Sequence, residues 1–187
     1  MPKSLRELTA LIEFELLNYK TPPIGSGVFV PTKLTRYLVE VGEIAQKSNI
    51  EKEAALLYLK RLHENQENMD NRELFRESLH QIVVTAYGST DISKKALDVI
   101  IAWSEGAIEQ EKLRSYLLAL GDISGSKSKF NALSFDEMSR LAAKPVVLED
   151  RSLMSSYKSA LERISKENNE LKQEAEQMLI DIKNRKK

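Results

Sequence analysis

His63 and His80 are the only imidazoles in a chain of 187 residues that contains no cysteine. Two imidazoles with carboxylates can hold zinc, but such sites need fixed ligand spacings. These two stand on different predicted helices, outside any such spacing. Without cysteine there is no thiol nucleophile, no thiolate metal site and no disulfide. Carboxylates are plentiful, yet nothing in their spacing singles out a pair for general acid–base work. The sequence therefore predicts no catalytic residue, no metal and no cofactor.

"GDISGSKS", residues 121–128, has the glycines and lysine of a phosphate-binding loop. That loop needs glycine immediately before the lysine and a strand leading into it, so that backbone N–H groups point at the phosphates. Here Ser126 precedes Lys127, and the preceding segment reads as helix. A flexible linker is the expectation.

Two basic pairs, Lys60–Arg61 and Lys94–Lys95, lie on separate predicted helices. Such pairs commonly cover solvated faces. On neighbouring helices they would instead line a groove for phosphate or carboxylate groups. The ending "KNRKK" could contact phosphates, act as an import signal or complement a helix dipole. Formal net charge is zero, so no global field draws the chain to nucleic acid or an acidic membrane, and nucleic acid is not the expected partner.

The positions of these residues depend on the elements that carry them, and nearly every segment repeats its apolar residues at helical period. Ser4 and Glu7 form a capping box ahead of Leu5, Leu8, Leu11, Ile12, Leu16 and Tyr19. "TPPIGSGVFVP" breaks the chain, and a second helix starts near Thr32 with Leu34, Tyr37, Leu38, Val41, Ile44 and Ala45 inward. Ser48 with Glu51, and Asp70 with Glu73, cap the next two helices. Gly88, Gly106 and Gly121 close the fourth, fifth and sixth, and Trp103 is phased for packing with Val99 and Ile100. A short helix is expected over Phe135–Ala142, capped by Ser134 and Glu137 and ended by Pro145. No strand pairing is expected.

From Met154 onward, apolar residues recur in alternating steps of three and four: Tyr157, Leu161, Ile164, Asn168, Leu171, Ala175, Met178 and Ile182. A period of 3.5 is the seam of a left-handed coiled coil. Asn168 takes an a position, where two facing carboxamides fix a parallel, in-register pair. Glu167 at g and Lys172 at the following e would add an interchain ion pair. The expectation is one continuous helix from about Asp150 and a parallel homodimer; the plainer alternative is a helix packed on its own domain.

The stretch from "EAALLYLKRL" through "ELFRESL" to "DISKKALDVIIAW" resembles the superfamily of VHS and ENTH trafficking domains and of domains that bind the C-terminal repeats of RNA polymerase II (CID). The likeness rests on "LLYL", "ELFRESL" and a later helix ending in tryptophan, across roughly residues 50 to 106. It implies a right-handed, ARM-like helical superhelix that binds a protein or phosphopeptide. Where polymerase-tail readers carry an Asn-Asp pair, this chain has Lys60, Arg61 and Leu62. Where they carry an arginine on the tryptophan helix, it has Asp98 and Val99.

The sequence thus predicts an all-α chain: a superhelical domain over 1–121, a linker with a short helix over 122–149, and a coiled coil with a basic tail over 150–187. The expected function is a dimeric, non-enzymatic adaptor associated with transcription. A trafficking or cytoskeletal scaffold is the alternative, and a small nucleic-acid binder the second. No apolar run approaches the ~20 residues a membrane span needs, and the first residues lack a signal peptide's apolar core. A soluble nuclear or cytoplasmic location is expected.

Overall fold

A computed structural model describes residues 3–18, 33–47, 50–65, 72–168 and 170–184. All regular structure among them is α-helical, in ten helices. Four lie in the first of two compact units, Met1–Thr85: α1 (Leu5–Leu17), α2 (Lys33–Gln46), α3 (Lys52–Glu64) and α4 (Arg72–Ala86), which reaches the boundary. The second unit, Ala86–Lys187, holds α5 (Asp91–Gly106), α6 (Gln110–Gly125), α7 (Asn131–Ala142), α8 (Pro145–Glu149), α9 (Arg151–Glu167) and α10 (Lys172–Asn184).

In the first unit α1 begins with the expected capping box. Ser4 Oγ accepts the Glu7 N–H, and the Glu7 carboxylate accepts the Ser4 N–H at 2.8 Å. The Ser4 N–H and hydroxyl, both donating to it, hold the Glu7 carboxyl below its ordinary value. Leu8 and Ile12 turn inward against α2, whose Leu34, Leu38, Val41 and Ala45 are buried. His63 is buried. Its ring stacks on Phe75 with centroids 4.3 Å apart, and Nδ1 lies 3.3 Å from Ser78 Oγ. Because the Ser78 hydroxyl donates to the Leu74 carbonyl at 2.8 Å, the consistent tautomer puts the proton on His63 Nδ1. α3 starts from Glu51 without a side-chain cap. The expected caps at Ser48 and Asp70 lie outside the described residues, as do "VFV" and the terminal Arg185–Lys187.

The second unit is built around α6, which packs against α5, α7 and α9. Leu113, Leu117, Leu120 and Ile123 are buried along it, and Phe135, Met138 and Leu161 are buried from its neighbours. Trp103 is half-buried and tilts against Tyr116 of α6, with ring centroids 6.2 Å apart. Gly121 sits where a Cβ would come within 2.7 Å of Ala160 Cβ, so α6 and α9 approach closely there. Beside that contact Arg163 pairs with Asp122.

Four boundaries differ from expectation, each for a local reason. α6 runs through Gly121 to Gly125, its last turn held by the burial of Ile123. The expected linker is folded: Ser126 Oγ accepts the Ser128 N–H, Ser128 Oγ accepts the Phe130 N–H, and the Ser128 hydroxyl reaches the Ala86 carbonyl at 2.9 Å. α7 starts at Asn131, and Ser134 is not its cap but a buried donor to Leu120. Pro145 opens α8 rather than ending a helix, since its missing N–H costs nothing at a first position.

The largest difference is at the C-terminal seam. α9 starts where expected, and Asp150 caps it, its Oδ1 accepting the Ser152 and Leu153 N–H groups. The helix then ends at Asn168, where the backbone is extended. Asn168 Oδ1 accepts the Glu170 and Leu171 N–H groups, and Nδ2 donates to the Ser124 carbonyl at 2.8 Å. The chain turns, and α10 packs back along α9. The expected continuous helix is therefore an antiparallel hairpin. Tyr157, Leu161, Ile164, Leu171, Ala175 and Ile182 are buried within the unit; pairing them with a second copy would require α9 and α10 to give up these contacts.

Candidate functional site

Ser139 and Ala142 on α7, with Ala143 capping its end, stand at i, i+3 and i+4 and present only small side chains. Opposite them α9 presents Met154 and Tyr157, and α10 presents Met178, Asp181 and Ile182. The small face cannot fill the space between the helices, so a groove of about 450 Å³ is left, with Leu148 of α8 at its edge. This lies within the ~300–1,000 Å³ typical of ligand pockets.

Each wall is fixed by identifiable contacts. Val147 is fully buried and anchors α8, which leaves Val146 and Leu148 exposed on either side. Lys144 Nζ donates to the Ser104 and Glu105 carbonyls at 3.0 Å each, tying the α7–α8 turn to the C-terminal end of α5. That end of a helix has free carbonyls and a negative partial charge, which suits an ammonium. On the floor, Tyr157 Oη lies 3.1 Å from Met178 Sδ and 3.4 Å from Ser139 Oγ, while Ser139 Oγ lies 3.5 Å from the same sulfur. The Tyr157 hydroxyl has one proton, so its bonds to sulfur and to Ser139 are alternatives; both hold the thioether in place.

Among the described residues the groove's lining side chains carry two hydroxyls, those of Ser139 and Tyr157, and one charge, that of Asp181, whose Oδ1 accepts Gln177 Nε2 at 2.9 Å. No base stands beside a nucleophile here. Among the described residues, no group of three or more histidines, cysteines and carboxylates is placed to hold a metal ion. No helix among them is long and apolar enough to cross a membrane.

A second concavity, of about 510 Å³, is lined by Ser126, Lys127, Ser128, Lys129, Asn131, Glu167, Asn168 and Glu170. It is the structural counterpart of the phosphate-loop pattern. Its charges are mixed, and the N–H groups of Ser128 and Phe130 are taken by serine hydroxyls. Backbone already engaged in this way offers no anion cradle.

The predicted binding residues fall in both units. Lys60 and Arg61 are on α3 in the first, Lys60 Nζ lying 3.7 Å from Glu64. Lys94 and Lys95 are on α5 in the second, where Lys94 pairs with Asp98. Each pair therefore sits on the face of its own helix. Of the predicted seam, Tyr157, Met178 and Ile182 line the apolar groove, while Asn168 lines the polar concavity. Sequence reading missed Ser139, Ala142, Ala143, Leu148 and Asp181. The signal present was the small-residue triplet on α7, followed at once by a proline-initiated turn of helix. Compared with known proteins, the chain matches no protein-family model and no curated protein.

Proposed function

We propose that the chain is a non-enzymatic protein-interaction module, and that its second unit captures an apolar side chain of a partner in the groove between α7, α8, α9 and α10. The groove carries this reading: an open, largely apolar concavity with half-buried Met154 and Met178 in its walls. Thioethers are flexible and polarizable, and they suit surfaces that accommodate a partner's side chain. The test uses the chain with its methionine methyl groups isotopically labelled. An amphipathic helical peptide should shift the Met154 and Met178 methyl resonances and leave the fully buried Met138 in place. Ala143→Trp, which fills the groove from an exposed position, should abolish the shifts. Shifts that survive this substitution place binding elsewhere.

Two settings for such a module come from the resemblance, each with superhelical stacking of the helices. In a nuclear, transcription-associated adaptor, a phosphorylated heptad-repeat peptide of the polymerase tail should shift the amides of Lys60, Arg61, Lys94 and Lys95. The exposed ion pairs of Lys60 with Glu64 and of Lys94 with Asp98 are worth only about 0–1 kcal/mol and yield readily to a phosphate. In a cytoplasmic trafficking scaffold, an acidic-dileucine peptide or ubiquitin should bind instead. No amide shift at millimolar phosphopeptide removes the first setting.

A further inference from the structure

We infer that the groove selects a helical segment whose bulky apolar side chain is flanked, one turn away, by a lysine or arginine. This rests on the groove's being the binding surface and goes further in naming the chemistry of its occupant.

Asp181 supplies the argument. It is exposed, it lines an otherwise uncharged groove, and it has no cationic partner among the described residues. Two cations that come before the groove in the chain are engaged elsewhere. Arg140 pairs with Glu105 and Glu137, and Lys144 caps the end of α5. Lys158 and Lys183 each follow a lining residue in sequence but do not line the groove. A partner seated here would therefore meet one negative charge at the edge of an apolar surface. Covering that edge excludes water, which strengthens a charge-assisted hydrogen bond and penalises a like charge.

The spacing is also set. Met178, Asp181 and Ile182 stand at i, i+3 and i+4 of α10, so the carboxylate lies about one helical turn, ~5–6 Å, from the apolar wall. A partner helix with its anchor and its basic residue three or four positions apart matches that offset. Because Met154 and Met178 adapt to many shapes, shape discriminates little among apolar anchors. Charge at Asp181 is left to do so.

The experiment compares two synthetic helical peptides with the same leucine face, one flanked by lysines and one by glutamates, titrated into the full chain with labelled methionine methyls. The lysine peptide should shift Met154 and Met178 and bind about three- to tenfold more tightly. Asp181→Lys should reverse the order and Asp181→Asn should level it. Circular dichroism should be unchanged in both variants, since the residue is exposed. Equal binding of the two peptides, unaffected by Asp181→Lys, overturns this inference and leaves the groove as a binding surface. Failure of both peptides to move either methionine overturns the groove reading as well. Concentration-dependent shifts of the free chain with dimer formation in sedimentation show a second copy as the occupant, which also overturns it.

Discussion

The Asn168 carboxamide donates to the Ser124 carbonyl at 2.8 Å, joining the end of α9 to α6 across 44 residues of sequence. The same side chain accepts two backbone N–H groups from the turn into α10. A single buried asparagine thus ends one helix, starts the next and fastens both to their neighbour.

Replacing Asn168 separates these jobs. Asn168→Ala removes three hydrogen bonds and leaves the Ser124 carbonyl without its donor, at an expected cost of about 1–3 kcal/mol in urea unfolding. Asn168→Asp keeps the acceptor for the turn but sets a carboxylate against that carbonyl, so it should recover none of the loss. Asn168→Leu restores the apolar heptad. It should also destabilise the monomer; a more stable, dimeric Leu variant in sedimentation would return the coiled-coil seam.

Glycine substitutions read the α6–α9 contact directly. A Cβ on Gly121 meets Ala160 Cβ at 2.7 Å, and alanine has no side chain that can swing away. Overpacking of this kind costs ~1–3 kcal/mol, more than the ~0.5–1 kcal/mol that alanine gains in a helix, so Gly121→Ala should lower stability. At Gly106 nothing lies within 4 Å of the added atom. Gly106→Ala should be neutral or stabilising by up to about 1 kcal/mol. Gly42 is intermediate, because its nearest neighbour is the movable end of Gln81. Equal melting temperatures for the three variants would contradict the close approach.

Alkaline stability should depend on Tyr58. Burial pushes its phenol well above the ordinary tyrosine value, with the Glu13 carboxylate adding to the effect. An unfolded tyrosine ionises near pH ~10, whereas the folded one keeps its proton. The unfolded chain then binds fewer protons, so stability falls as pH rises above that value, and this contribution is constant below it. Tyr58→Phe removes that share of the fall. It should cost little at neutral pH, because the hydroxyl is a long 3.5 Å from the Thr9 carbonyl. Denaturant midpoints of the two proteins should be nearly equal at neutral pH, and above about pH 10 the wild-type midpoint should fall below that of Tyr58→Phe. Parallel curves would mean that Tyr58 ionises normally in the fold.

Local signals in the chain were read where the interaction itself is local. The Ser4–Glu7 capping box and the inward face of α2 involve residues three or four apart, so spacing alone identifies them. The groove leaves no such trace. It is a space where side chains are missing, and it exists only because Ser139, Ala142 and Ala143 face the long side chains of two other helices.

The amino-acid order by itself determined that the chain is helical, where most helices begin and which residue of each turn is apolar. It did not determine what covers the last apolar stripe. A seven-residue repeat states that Leu161, Ile164 and Ala175 need an apolar neighbour, and either a second chain or α6 meets that need equally well. Asn168 was similarly ambiguous, since a carboxamide serves as well in a turn as across a dimer axis. Only the position of the Ser124 carbonyl, brought close by the folding of α6 against α9, decided between them. That position is a property of the tertiary packing, which sequence spacing does not encode.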